Sequence, residues 1–259
     1  RYRAYYPWTI GGAVWSMYDY NRGCCDNICY SGLADLFRLP KFGLLYFRTQ
    51  MKEGTFTPAG PMTYEVFINS HWLEGSSDTL QVYGNVDEVK LQLNGRVIAR
   101  QYPDDKPSTS EYVSRPDGGN AENIDFPPFT FFNVNWERGE LKAIGYKDGK
   151  AVAEHVVRTP GAVEAMDITY FESGVSASCR DLLIVYVNLK DLQGTGCFGE
   201  NNREVKLEVL QGGELRGPAT IKAEAGVASF LVATTDSPML VLKAVSGNLE
   251  TMRKLKLKK

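Results

Sequence analysis

The chain has 259 residues, 43% of them hydrophobic and 23% charged, with a net charge of −2 at pH 7. That is the balance of a folded protein with ample material for a core, and it excludes the basic footprint that nucleic-acid binding requires. No apolar run approaches the roughly 18 residues of a membrane span, and Arg1 in place of Met marks a processed chain or a piece of a longer one.

Residues 1–50 hold 12 of the 30 aromatic residues and neither Glu nor His. The run Ile10–Trp15, entered through Gly11-Gly12, has the length and branching of a buried strand. Asp19-Tyr20-Asn21-Arg22-Gly23 reads as a polar turn. Lys41–Arg48 predicts a short amphipathic helix with Pro40 at its start. Strand, long loop and helix make one β/α unit, which cannot bury both faces of its strand alone. Cys24, Cys25 and Cys29 cluster here, but C-C-x-x-x-C is not the C-x-x-C spacing of zinc sites, and His71 and His155 are distant in sequence. Buried free thiols, with no metal and no cofactor, are expected.

From about residue 60 the pattern changes to short strands. Tyr64–Ile68, Thr79–Tyr83, Glu88–Leu93, Arg96–Ala99, Phe129–Val134 and Glu140–Tyr146 are brief, and several alternate apolar with polar residues. Asn94-Gly95 and Asp148-Gly149 supply hairpin turns. The Pro-, Asp-, Ser- and Gly-rich stretch 103–128 predicts a surface loop. Thr159-Pro160-Gly161 reads as a linker. Strands recur at Leu182–Leu189, Val205–Leu210, Ala228–Val232 and Met239–Ala244, and Lys254–Lys259 alternates Lys with Leu as a guarded edge strand does. The fold expected is mainly β: a β/α unit over 1–50, then immunoglobulin-like β-sandwiches over 60–158 and 162–259.

Gly11-Gly12-Ala13-Val14-Trp15-Ser16-Met17-Tyr18-Asp19-Tyr20 resembles the last barrel strand of family 2 glycoside hydrolases, the β-galactosidase, β-glucuronidase and β-mannosidase group. Gly32-Leu33-Ala34-Asp35 and Arg38-Leu39-Pro40-Lys41 resemble the start of their last barrel helix. Asp87-Glu88-Val89, Leu93-Asn94-Gly95, Pro127-Pro128-Phe129 and Leu141–Tyr146 resemble an accessory sandwich of bacterial members. The resemblance implies the C-terminal part of a larger enzyme: the last β/α unit of a TIM barrel followed by two sandwiches.

Retaining glycoside hydrolysis, which the resemblance implies, needs two carboxylates about 5 Å apart. In the family these are Glu residues on earlier barrel strands, so nucleophile and acid/base are expected upstream of Arg1 and the chain alone is expected to be inactive. What this chain would contribute is part of the sugar subsite. The family places a Trp at the position of Trp15, commonly with a cis bond to the next residue; an indole face suits the C–H face of a sugar. Asp19 is the second substrate-binding candidate, an acceptor for sugar hydroxyls, or else the partner of Arg22 or of its own turn. Tyr20 and Asn21 stand beside it. Asp35 and Arg38 are expected in capping and ion-pair contacts.

β-Glucuronidases of the family carry an Asn-x-Lys set where this chain has Cys29, Tyr30 and Ser31, which favours a β-galactosidase-like, exo-acting enzyme. Ser31 stands where a β-galactosidase group has an Asn that helps to hold sodium. The partners implied are a carbohydrate substrate and the rest of the barrel, without nucleic acid or membrane, in the periplasm or outside the cell. Trp72, Trp136, Phe129, Phe131 and Phe132 form either a sugar platform or sandwich core, and a non-catalytic carbohydrate-binding or adhesion module is the competing assignment.

Overall fold

Along Leu80–Gly84, Glu140–Lys147 and Val227–Thr234 every second residue is buried. Successive strand side chains point to opposite faces, so each of these segments lines a core with one face only. The computed structural model describes residues 13–23, 27–104, 124–172, 174 and 176–259, and the chain divides into two units, residues 1–159 and 160–259.

The first unit opens with β1 (Tyr20–Asn21) and β2 (Ile28–Cys29), paired antiparallel. Helix α1 (Phe42–Thr49) and a small hairpin of β3 (Phe56–Thr57) and β4 (Gly60–Pro61) follow. Then come β5 (Val66–Ile68), β6 (Leu80–Gly84), β7 (Glu88–Leu93), β8 (Arg96–Gln101), β9 (Phe129–Phe131), β10 (Glu140–Lys147) and β11 (Lys150–Arg158). One sheet has the order β5-β6-β9 and the other β11-β10-β7-β8. The chain therefore crosses between sheets after β6, returns for β9 and crosses again, as in Greek-key sandwiches. Ile68, Val82, Leu91, Phe129 and Leu141 from both sheets meet in one core around Trp72.

Both expected hairpin turns form. Asn94 and Gly95 have φ of 50° and 77°, and Asp148 and Gly149 have 48° and 73°, the left-handed pair that a two-residue type I′ turn needs. Asn94 also ties its turn to the start of β10: its Oδ1 accepts the Glu140 N–H at 2.9 Å, and its Nδ2 donates to the Arg138 carbonyl at 3.0 Å. Gly139 (φ 135°) makes room, because a Cβ there would lie 1.9 Å from Asn94 Oδ1.

Helix α1 forms where expected, but Lys41 is its N-cap and makes no side-chain cap bond, so Pro40 precedes the helix instead of starting it. Tyr46 packs edge-on against Tyr83, and Arg48 pairs with Glu65. Buried Asn85 fastens the connection to the sandwich, donating to the Met51 and Thr63 carbonyls and accepting the Glu65 N–H.

The second unit contains β12 (Ala165–Tyr170), β13 (Leu182–Lys190), β14 (Glu204–Gln211), β15 (Gly213–Leu215), β16 (Thr220–Lys222), β17 (Val227–Thr234), β18 (Met239–Ser246) and β19 (Leu249–Lys256). They form sheets β12-β13-β17-β15 and β16-β14-β18-β19 over a core that includes Val185, Val187, Leu207, Phe230 and Leu242. The Lys-Leu alternation falls at the end of β19, an edge strand, as its pattern predicts.

Two expectations change, and one lies largely outside the described residues. Residues 1–12 lie outside the described residues, and the described part of the Ile10–Trp15 run, Ala13–Trp15, is exposed and outside any strand. A parallel strand takes its hydrogen bonds and both covered faces from other segments, and among the described residues none flanks Ala13–Trp15. The sugar-platform alternative fails for Trp72, Phe129 and Phe131, which are buried in the sandwich core, with Trp136 packed against it. Most of the 103–128 loop, residues 105–123, lies outside the described residues. Among the described residues no helix is long and apolar enough to cross a membrane.

Candidate functional site

Two stretches of chain, 16–19 and 31–34, run side by side at the head of the first unit. The Asp19 N–H donates to the Ala34 carbonyl at 3.0 Å, the Ala34 N–H to Met17 at 3.0 Å and the Leu33 N–H to Ser16 at 3.1 Å. The approach is possible because residue 32 is glycine. A Cβ on Gly32 would lie 2.2 Å from the Asp19 nitrogen and 2.3 Å from the Tyr18 carbonyl carbon, distances no packing rearrangement of side chains can relieve.

Trp15 stands on this frame. Its peptide bond to Ser16 is cis, as the family resemblance implies. The residue is 75% exposed, and the indole is oriented by a polar contact, Nε1–H donating to the Tyr20 hydroxyl at 2.7 Å. The Tyr20 ring meets the indole edge-on, with centroids 6.0 Å apart at 80°. Tyr20 is held in turn by β1–β2 pairing, directly opposite Cys29. Hydrogen bonds with Ser31 and then Tyr20 hold the Cys29 thiol below its ordinary pKa.

Asp19 is only 5% exposed. Its Oδ1 accepts the Gly32 N–H at 2.9 Å and the Lys41 ammonium at 2.6 Å. Lys41 also donates to the Tyr30 carbonyl at 3.2 Å and lies 5.8 Å from the Tyr30 ring centroid. Its ion-pair partner is thus Lys41, 22 positions on, not the neighbouring Arg22. The carboxylate locks the two stretches together, with charge-assisted bonds that are stronger than neutral ones.

Asp35 caps a turn, its Oδ1 accepting the Phe37 and Leu39 N–H groups at 2.8 Å each. The Arg38 guanidinium lies 3.7 Å from the centre of the Tyr18 ring, so its partner is aromatic where a carboxylate was expected. His71 packs on Phe42, with ring centroids 4.9 Å apart. Cys29, Cys179 and Cys197 are free thiols; Cys24 and Cys25 lie outside the described residues. Among the described residues no three His, Cys, Asp or Glu side chains gather to hold a metal ion.

Sequence reasoning brought Trp15 and Asp19 to one place and missed two members of the site. Gly32 carried a signal, as a glycine inside the resembling motif. Lys41 stood in a resembling motif too, but nothing in the helix start marks its side chain as turned back toward Asp19. In the same stretch of chain Val14, Met17, Tyr30, Leu36 and Phe37 are exposed as well.

Residues 75–153 match the family described as a domain of unknown function, DUF4982. A β-galactosidase of Thermoanaerobacter pseudethanolicus is 31% identical over 258 residues, covering 93% of this chain and 32% of that protein. A β-glucuronidase of Formosa agariphila is 28% identical over 193 residues, covering 72% of this chain and 17% of the relative. The fold recurs in a β-glycosidase from Bacteroides vulgatus with a TM-score of 0.76 and 16% identity, over 98% of this chain and 32% of that structure. The chain is homologous to the C-terminal part of family 2 glycoside hydrolases. It spans about a third or less of the length of the relatives it matches.

Proposed function

We propose that this chain is the C-terminal portion of a retaining, exo-acting β-glycosidase, β-galactosidase-like in specificity, exported to the periplasm or beyond. Residues 1–50 are the last β/α unit of its TIM barrel, and residues 60–158 and 162–259 are accessory sandwiches. The observation that carries this is the exposed Trp15, its indole held by the Tyr20 hydroxyl, in a segment where Val14, Met17 and Tyr30 are exposed too.

In this assignment the remaining barrel strands cover Val14 and Met17, and their segment supplies the two catalytic Glu residues, because residues 1–50 contain none. Barrel active sites gather at the strand ends, where this assignment puts Trp15. Its indole packs against the C–H face of the terminal sugar and excludes water from the reacting bond. Asp19 belongs to the sugar subsite as the buried anchor of that wall. Lys41, whose ammonium reaches the Tyr30 carbonyl, is paired with Asp19, and no Lys stands among Cys29, Tyr30 and Ser31, which supports a neutral sugar.

The 259-residue chain alone is expected to release no nitrophenol from aryl β-galactosides. The coding DNA before Arg1 is expected to continue as an open frame of several hundred codons with two Glu residues at strand ends. In the longer product, Trp15→Ala should lower kcat/KM for the β-galactoside about 100-fold, the cost of losing substrate positioning. Turnover by the short chain, or a stop codon just before Arg1, would sink the assignment.

A further inference from the structure

A cavity of about 320 Å3 opens beside β12 and β13 of the second unit. Its floor is backbone brought close by glycine. The Leu189 N–H donates to the Gly226 carbonyl at 2.8 Å, and the Cys197 N–H donates to the Leu189 carbonyl at 2.9 Å. A Cβ on Gly226 would stand 2.5 Å from the Cys197 oxygen, and one on Gly196 would stand 3.0 Å from the Phe198 ring. The loop that carries Gly196 and Phe198 is set by buried Asp191. This carboxylate accepts the N–H groups of Thr195 at 2.8 Å and of Gln193 and Gly161 at 2.9 Å. The cavity is thus shaped before any ligand arrives, which lowers the entropy lost on binding.

The polar lining is a network of side chains that fix one another. Asn188 Nδ2 donates to Asp167 Oδ1 at 2.8 Å and to Thr169 Oγ1 at 2.9 Å, and Lys190 Nζ donates to Asp167 Oδ2 at 2.6 Å. The Asp167 and Lys190 charges cancel. Beyond these bonds, each carboxylate oxygen keeps a further lone pair, the ammonium has more protons than this one bond uses, and the Thr169 hydroxyl has its own proton. The same cavity is lined by Phe198, 37% exposed, and by Val227.

Donors and acceptors held in place beside an aromatic surface match a sugar ring, with vicinal hydroxyls at its rim and C–H groups on its face. An anion would find no net positive charge, since Lys190 is paired with Asp167, and a wholly apolar ligand would strip water from Asn188 and Lys190 without replacing its bonds. We propose that this cavity binds a neutral pyranosyl residue of a soluble polysaccharide, which would hold the chain on its substrate independently of turnover.

The test is a titration of the full 259-residue chain, labelled with 15N, by β-1,4-galactotriose and by cellotriose. Saturable shifts are expected at the Asn188 side-chain amide and at residues 196–198 and 225–227. Phe198→Ala and Asn188→Ala should each weaken binding by about tenfold, the size of one lost stacking or hydrogen-bonding contact, with melting temperature unchanged. Should Asn188→Ala unfold the second unit, Phe198→Ala, at the surface, carries the test by itself. Absence of shifts at tens of millimolar of either sugar, shifts confined to other residues, or tighter binding of a sulfated or uronate trisaccharide would overturn it. Because the readout is binding, its failure leaves the glycosidase assignment standing, and the reverse holds too.

Discussion

At the scale of single residues the site depends on Gly32 and on two side chains from opposite ends of the segment. Gly32 permits a backbone approach that any Cβ would block. Gly32→Ala is therefore expected to separate residues 16–19 from 31–34 and to free Trp15, while the sandwich core around Trp72 stays intact. Limited proteolysis checks this: cleavage within residues 13–40 should become at least several-fold faster, with the fragment from residue 60 onward still resistant. Unchanged cleavage would mean that the frame tolerates a methyl group there. Trp15 was legible in the sequence as a candidate, and Gly32 stood in a second resembling stretch without being singled out. The Asp19–Lys41 pair was not legible, because an ion pair between residues 22 apart is written in the path of the chain and not in any local pattern.

At the scale of elements the alternating strands and Asn-Gly and Asp-Gly turns act locally, and those expectations hold down to the φ angles. What joins elements is less local. His155 on β11 accepts the Ile68 N–H of β5 through Nδ1 at 3.2 Å, and burial lowers its pKa; burial lowers that of His71 as well. Both groups are neutral in the folded state at pH 7. As pH falls through the unfolded value of about 6.5, the unfolded chain gains these protons first, so the folded state loses stability. The first unit should show a lower melting temperature at pH 5.5 than at pH 7.5. His155→Gln, which keeps an acceptor but cannot titrate, should reduce that drop. An unaltered pH dependence in the variant would show that His155 does not contribute to it.

At the scale of the whole molecule the uncovered apolar residues of the first unit stand out against two well-filled cores. Val14, Met17, Tyr30 and Phe37 are exposed, as is Trp15, and exposed apolar side chains in number mark a surface that a partner covers. The folded chain should therefore bind a hydrophobic dye such as ANS at neutral pH, and Val14→Ser with Met17→Ser should reduce that signal without lowering the melting temperature. Equal dye binding by the double variant would place the apolar surface elsewhere. The sequence by itself determined the strands from residue 60 onward, the turns and the break at Thr159-Pro160, since each follows from residue spacing or from a contiguous motif. Only the tertiary structure decided that Trp72, Phe129 and Phe131 are core and not platform, that Lys41 neutralises Asp19, and that segments near residues 167, 188, 196 and 226 enclose one cavity. Burial and pairing of that kind arise when distant segments meet, and the order of residues along the chain carries no direct record of which ones do.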